Sequence, residues 1–258
     1  LPNIDINIKC GNSLVSRFAI GGNPNILPAD RKKLKELTET YRRHVFDYKL
    51  SPANKAQLRK TIDTLKHDLE NFGLPNDKDL IALRKLQNEL AQLSLFGFDK
   101  KEMQRRQKMQ AEVDELEKRF EEKQRLVYSN AFEWRFEFPE VLDENGEFIG
   151  FDVIVGNPPY GRLATKDQQK YFDTYFQHQD YQKDLYLLFL ERYEQIMKKQ
   201  SFLGIIIPNT WLQSVTFRKI RLYMTNHYIW HSLLHLHDYV FDAVVDTLVV
   251  VFEKKATK

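Results

Sequence analysis

The sequence has a single cysteine, Cys10, in 258 residues. No internal disulfide can form, so a disulfide-stapled secreted scaffold is excluded and a cytoplasmic setting is expected. No apolar run approaches the ~20 residues that a membrane helix needs, so no membrane partner is expected. There is little excess charge: 39 Lys and Arg oppose 36 Asp and Glu, a formal +3. That permits a nucleic-acid partner but does not argue for one, because phosphate binding needs a localised basic face. Glycine is sparse, at ten residues. Gly21-Gly22-Asn23-Pro24-Asn25 reads as a loop, and its spacing fits neither a dinucleotide fingerprint nor a phosphate loop. The opening Leu1-Pro2-Asn3-Ile4-Asp5 has no basic n-region, no apolar h-region and no initiator Met, which predicts a chain cut from a longer polypeptide. What is present, 42% hydrophobic and 29% charged residues, suits a globular protein.

Three zones differ in composition. In residues 1–28, Ile6 and Ile8 alternate with Asn7 and Lys9, which predicts a short strand ending at Gly11-Asn12. Residues 29–129 are rich in Lys, Arg, Glu, Asp and Gln, with apolar residues at helical spacing. Leu34, Leu37, Tyr41 and Val45 form one stripe, and Leu58, Ile62, Leu65, Leu69 and Phe72 a second. Leu80, Leu83, Leu86, Leu90 and Leu93 form a third, and Val113, Leu116 and Phe120 a fourth. Each predicts an amphipathic helix. Breaks fall at Ser51-Pro52, Gly73-Leu74-Pro75-Asn76 and Gly97. The zone reads as helical hairpins that pair among themselves, with a short coiled coil as the expected packing. Its charge is either a solvated face or a DNA-contacting arm.

Residues 130–258 change again. Phe132, Trp134, Phe136 and Phe138 alternate with charged residues, which predicts a half-buried strand or extended ribbon. Asn145-Gly146 signals a tight turn. Phe151–Val155 predicts a strand buried on both faces of a parallel sheet. A helix follows at 185–198, a strand at 203–207, a helix near 217–227, and strands near 229–236 and 247–253. The alternation predicts an α/β fold.

Asn157-Pro158-Pro159-Tyr160 follows the first of these strands and Gly156. Ligands of open α/β sheets sit beyond the carboxyl ends of strands. An amine conjugated to a ring is a poor nucleophile, because its lone pair is delocalised. Acceptors aimed at its hydrogens draw the nitrogen towards tetrahedral geometry. The Asn157 side-chain oxygen and the Pro158 carbonyl can supply them, and Pro158 and Pro159 fix the torsions that aim them. Tyr160 offers a face on which a base can stack, an interaction worth ~1–3 kcal/mol. His231, His235 and His237 are expected on one strand face. Without a cysteine or carboxylate at ligand spacing, no metal site is expected. Asp30, Asp99 and Asp238 form no nuclease-type cluster.

Phe151–Tyr160 resembles the catalytic motif of the adenine-N6 DNA methyltransferases that carry Asn-Pro-Pro-Tyr, in particular methylase subunits or regions of type II restriction–modification enzymes. Asn3–Leu14 is similar to the strand and turn preceding that motif, Asp184–Leu212 to the helix, strand and Pro-Asn-Thr turn after it, and Val240–Thr247 to a late motif. The resemblance implies several expectations. The fold is part of a Rossmann-like S-adenosylmethionine-dependent methyltransferase sheet, built from residues 1–28 and 130–258 with residues 29–129 as an all-helical insertion. The reaction is methylation of adenine N6 in double-stranded DNA, with the base flipped out. Asn157, Pro158, Pro159 and Tyr160 are catalytic. Asn12, where many members carry Asp, contacts the adenine of the cofactor, S-adenosylmethionine. Phe241 packs beside the flipped base. The family's glycine-rich cofactor loop and its ribose-binding acid have no counterpart in these residues, so the chain by itself is expected to be inactive. Nuclease and target-recognition regions would belong to the same polypeptide. Methylation of a glutamine amide in a protein, methylation of RNA, and a non-catalytic helical interaction module are the alternatives.

Overall fold

The computed structural model describes residues 4–21, 28–50, 54–70, 77–93, 100–161, 164–179, 184–236 and 246–256. The expected breaks at Ser51-Pro52, Gly73–Asn76 and Gly97, and most of the Gly21–Asn25 loop, lie outside them. The chain forms two compact units, Leu1–Glu137 and Phe138–Lys258. Residues 4–21 and 130–137 fall in the same unit as the helices of residues 28–126.

In the first unit, α1 spans Ile4–Asn7, α2 Pro28–Leu50, α3 Lys55–Glu70, α4 Lys78–Leu93, α5 Lys100–Leu126 and α6 Trp134–Glu137. The apolar stripes read from the sequence pack as helix pairs. Leu34, Tyr41, Val45 and Tyr48 of α2 meet Ile62 and Leu69 of α3, and Leu83 of α4 meets Val113 and Leu116 of α5. The first pair is not self-contained. Phe18 and Phe136 fill the same core, edge to face at 5.5 Å, and the Tyr41 hydroxyl donates to the Phe136 carbonyl at 2.8 Å.

Two expected strands are corrected. Ile4–Asn7 is helical, and among the described residues no ladder includes Ile8; the strand-like contact here is an isolated parallel bridge between Asn12 and Ala131. Trp134–Glu137 is also helical, followed by a 3-10 turn at Pro139–Val141. The alternation of Phe132–Phe138 suggested polar residues facing water, yet Glu133 and Arg135 are both buried. Glu133 accepts from the Ser16 hydroxyl at 2.6 Å and from the Arg17 backbone and Nε at 2.9 and 2.8 Å. A carboxylate so satisfied can face the core, and a two-faced strand is no longer required.

The second unit is a mixed α/β fold. Its strands are β1 (Phe151–Gly156), β2 (Met197–Pro208), β3 (Tyr228–Leu236) and β4 (Thr247–Lys254), in the order β1-β2-β4-β3. β1 and β2 are parallel, so the chain between them must cross over. It does so through α7 (Lys166–Tyr175) and α8 (Leu185–Ile196). β4 runs antiparallel to both β2 and β3. Between β2 and β3 lie α9 (Thr210–Gln213) and α10 (Arg218–His227). Leu203, Ile205 and Ile207 of β2 and Leu248, Val250 and Phe252 of β4 form the sheet's part of the core.

The two-faced burial expected of Phe151–Val155 is corrected. β1 is the edge of the described sheet, with Val153 61% and Val155 83% exposed. The helix α7 gave no apolar stripe long enough to predict it. Its capping box, Thr165 with Gln168, is a local start signal present in the sequence. The Asn145-Gly146 turn forms as expected: Gly146 has φ 74°, and Leu142 and Phe148 bridge across it.

Candidate active site

The strand register assembles one edge of the sheet. β1 ends at Gly156, opposite Ile205 of β2. β2 continues to Pro208, opposite Thr247, where β4 begins, and β3 ends at Leu236 opposite the same residue. Asn157–Tyr160, Asn209-Thr210, His235 and Asp246 therefore share the carboxyl edge of β1 and β2, where open α/β sheets hold their ligands.

Within the tetrapeptide, Pro158 is buried, Asn157 and Pro159 are exposed, and Tyr160 is half-buried. The Tyr160 hydroxyl lies 3.1 Å from the Asn157 Oδ1 and 3.3 Å from the Ile206 carbonyl. It has one proton to donate, so it bonds either Asn157 Oδ1 or the end of β2 at any moment. Asn157 Oδ1 keeps a lone pair for an incoming amine in either case. Tyr160 also meets Tyr186 of α8 edge to face at 6.2 Å, and the Tyr186 hydroxyl is 3.3 Å from Thr210 Oγ1. Partial burial pushes the Tyr160 phenol up. Burial, reinforced by the Asp184 charge, pushes Tyr186 to about 12 against the opposing Thr210 hydrogen bond. Both phenols are neutral near pH 7 and keep their donors.

Gly156 fixes the approach to Asn157. A Cβ there would stand 2.7 Å from the Tyr193 hydroxyl, so any larger residue would have to displace the end of the Tyr193 side chain. Burial pushes the Tyr193 phenol to about 12. Neither Tyr186 nor Tyr193 was singled out in the sequence. They are seven residues apart and so share one face of α8, a stripe that was available as a signal.

The other expected site residues stand as follows. Asn12 belongs to the first unit. Its Oδ1 accepts from the Leu14 N–H at 3.2 Å, so one acceptor site is committed to a local turn. A Cβ on the neighbouring Gly11 would meet Phe132 at 3.0 Å, so this turn packs directly against that ring. The fit to S-adenosylmethionine is thus limited to the remaining polar capacity of Asn12. Phe241 and His237 lie outside the described residues.

The shared face expected for His231 and His235 is corrected. A bulge places His231 between Trp230, opposite Phe252, and Ser232, opposite Val251. His231 reaches Glu253 at 2.7 Å, whereas His235 stands opposite Leu248, on the other face of β4. His235 approaches Asn209 Nδ2 at 3.4 Å and Asp246 at 4.0 Å. These carboxylates come from the neighbouring strand and were invisible to spacing along β3. Among the described residues no group of three His, Cys, Asp or Glu is placed to hold a metal ion.

The Eco57I restriction-modification methylase family model matches residues 80–241, which span α4, α5 and the Asn157–Tyr160 edge. Over 289 aligned positions the chain is 28% identical to a putative type II restriction enzyme and methyltransferase, RM.MjaORFECS2P, of Methanocaldococcus jannaschii; the alignment covers 100% of this chain and 23% of that protein. It is 38% identical over 87 residues to the type II restriction enzyme and methyltransferase RM.Eco57I of Escherichia coli, covering 30% of this chain and 8% of that protein. The chain therefore spans less than a quarter of the length of either relative. Among solved structures, the M protein of the type I restriction enzyme EcoKI superposes with a TM-score of 0.34 at 19% identity, over 42% of this chain and 22% of that one. Similarity at that level decides nothing about the site.

Proposed function

The chain belongs to the Eco57I restriction-modification methylase family, and from that premise we propose that it carries the target-base half of a site-specific DNA methyltransferase acting on the N6 amine of adenine. The carrying observation is the Tyr160 hydroxyl within hydrogen-bonding distance of Asn157 Oδ1 and the Ile206 carbonyl, at the carboxyl edge of β1. That contact holds a neutral acceptor in place before the substrate arrives, which is how a polar group stabilises a transition state without reorganising.

In this reading, Asn157 Oδ1 and the Pro158 carbonyl accept the two amine hydrogens of an adenine flipped out of the duplex. The nitrogen lone pair is thereby turned out of the ring plane. Tyr160 stacks on the base and Phe241 packs beside it. S-adenosylmethionine, when bound, supplies an electrophilic methyl group. The nitrogen lone pair would form the N6–methyl bond as the sulfur–methyl bond breaks and its electron pair returns to sulfur, leaving a neutral thioether, and one amine proton would then leave to water. Asn12 offers a polar contact to the cofactor's adenine. The test is mass spectrometry of nucleosides from duplex DNA incubated with S-adenosylmethionine and the complete polypeptide. N6-methyldeoxyadenosine is the expected product. Methyl groups found only on RNA or on protein glutamine, or no incorporation at all, overturn the reading.

A further inference from the structure

Tyr186 stands in the first turn of α8 and is 2% exposed. A phenylalanine would fill the same apolar space. A tyrosine must bury its hydroxyl as well, which is unfavourable unless that group is hydrogen-bonded. Among the described residues, the partner of this hydroxyl is Thr210 Oγ1 at 3.3 Å. Thr210 opens α9, in a turn anchored on two sides. The Asn209 N–H donates to the Asp246 carbonyl at 2.9 Å, and the Trp211 side chain is fully buried. The Tyr186 ring is thereby tied to a fixed part of the sheet edge.

The same ring meets Tyr160, with centroids 6.2 Å apart and planes at 84°. Edge-to-face pairs prefer a definite relative orientation, so Tyr160 cannot swing without losing this contact. The backbone is held as well. The Leu185 N–H donates to the Gly161 carbonyl at 3.0 Å. Gly161 follows Tyr160 with φ 92°, a left-handed conformation that glycine adopts without strain. The first turn of α8 thus grips both the Tyr160 ring and the residue after it. At the other end of that ring, the hydroxyl has one proton for two acceptors, Asn157 Oδ1 and the Ile206 carbonyl. That end is held by a bond that alternates between partners, which leaves Tyr186 as the steady contact.

We propose that Tyr186 is a positioning residue for the methyl transfer: anchored on Thr210, it fixes the Tyr160 ring on which the flipped base stacks. The inference rests on the adenine reading above. A stacking ring held before the base arrives has little freedom left to lose when the base stacks on it. The base then spends more of its bound time oriented for reaction beside Asn157. Tyr186 acts through Tyr160, so its effect vanishes where residue 160 has no ring.

The experiment is single-turnover methylation of duplex DNA by the complete polypeptide, with the melting temperature of every variant. Tyr186→Phe keeps the ring and loses the Thr210 bond, so its rate should fall by about 2- to 10-fold, the range of one neutral hydrogen bond. Thr210→Val removes the same bond, so the double variant should be no slower than the slower single one. Tyr186→Leu removes the ring and should be slower than Tyr186→Phe. In a Tyr160→Ala background, each Tyr186 variant should change the rate by less than about twofold. A residue that only stabilises the fold would lower the rate by the same factor in both backgrounds, in step with melting temperature, and that result overturns the proposal. So does a wild-type rate in the Tyr186 variants. If Tyr186→Leu does not fold, Tyr186→Phe decides by the same comparison. Failure of the adenine reading is distinct: there the wild-type polypeptide itself forms no N6-methyldeoxyadenosine, and this inference falls with it.

Discussion

At the scale of single residues, Asn157 and Tyr160 stand out in the sequence, and the contacts around them do not. Asn157-Pro158-Pro159-Tyr160 announces itself because two prolines beside an amide, directly after an apolar strand, have few structural uses. Nothing along the chain says that the Tyr160 hydroxyl reaches back to Asn157, or that Tyr193 lies under Gly156. Both contacts join segments that are distant in sequence or bent by a turn. The first changes what is expected of a familiar substitution. Asn157→Ala removes the pre-organised acceptor and should lower kcat by about 100-fold or more, as loss of one such polar group does elsewhere, with DNA affinity little changed. Tyr160→Phe keeps the stacking face but frees Asn157. Loss of one neutral hydrogen bond, worth ~0.5–1.5 kcal/mol, predicts a fall of a few-fold to about tenfold in kcat. Tyr160→Ala should lose substantially more. Single-turnover methylation of duplex DNA measures all three, and equal loss in the Phe and Ala variants would show that stacking contributes nothing. Gly156→Ala forces its new methyl against the Tyr193 hydroxyl and should lower both kcat and melting temperature. Adding Tyr193→Phe removes the closest atom and leaves the next at 3.3 Å, so the double variant should recover part of both. Strict additivity of the two changes would show that the contact does not act on Asn157.

At the scale of elements, hydrophobic periodicity located most helices and strands, and failed where partners were decided elsewhere. β3, β4 and the helices α8 and α10 fall within a few residues of where the pattern put them, whereas β2 begins six residues earlier. α7 was missed because ten residues with four polar side chains in its first turn give a weak stripe. Residues 130–138 misled because Glu133 and Arg135 look solvent-facing until Ser16 and Arg17 are known to surround the carboxylate. The start of α4 offers a test with a pH axis. Asp77 caps it, accepting from the Asp79 and Leu80 N–H groups at 2.8 and 3.2 Å, and also binds Lys123 at 2.9 Å and the Tyr128 hydroxyl at 3.0 Å. Burial by itself would raise this carboxyl, but Lys123, Tyr128 and the Leu80 N–H outweigh it, and Asp77 is held below its ordinary value. A depressed carboxylate stabilises the folded state above its unfolded pKa of about 4 and loses that contribution as pH falls through the lower folded value. Asp77→Ala should therefore cost about 1–2 kcal/mol at pH 7, in the range of a lost N-cap. The gap between wild type and variant should narrow as pH drops from 5 towards 2. Thermal melts by circular dichroism across that range check it, and a gap independent of pH would mean that the charge on Asp77 contributes nothing.

At the scale of the whole chain, the unequal division of chemistry between the two units leads to an expectation about the cofactor. The residues expected to handle the base, Asn157 to Tyr160, lie in the second unit with Tyr186 and Thr210, and Asn157, Tyr160, Tyr186 and Thr210 are hydrogen-bonded or stacked among themselves. The cofactor-handling group named from the sequence, Asn12, is in the first unit, and its oxygen is partly committed to Leu14. A neutral hydrogen bond contributes ~0.5–1.5 kcal/mol net, whereas holding a flexible ligand also costs ordering entropy. One such bond gives no useful affinity. The 258 residues by themselves should therefore show no saturable heat with S-adenosylmethionine at micromolar concentrations in isothermal titration. The open edge of β1, with Val153 and Val155 exposed, should at the same time make this isolated chain prone to associate, since an exposed apolar edge strand is a template for pairing. Sedimentation velocity should then show concentration-dependent species, and Val155→Lys should reduce them by placing a charge on that edge. A low-micromolar dissociation constant for the cofactor, with a monodisperse chain, would mean that Asn12 and its neighbours form a fuller cofactor site than their hydrogen bonds indicate.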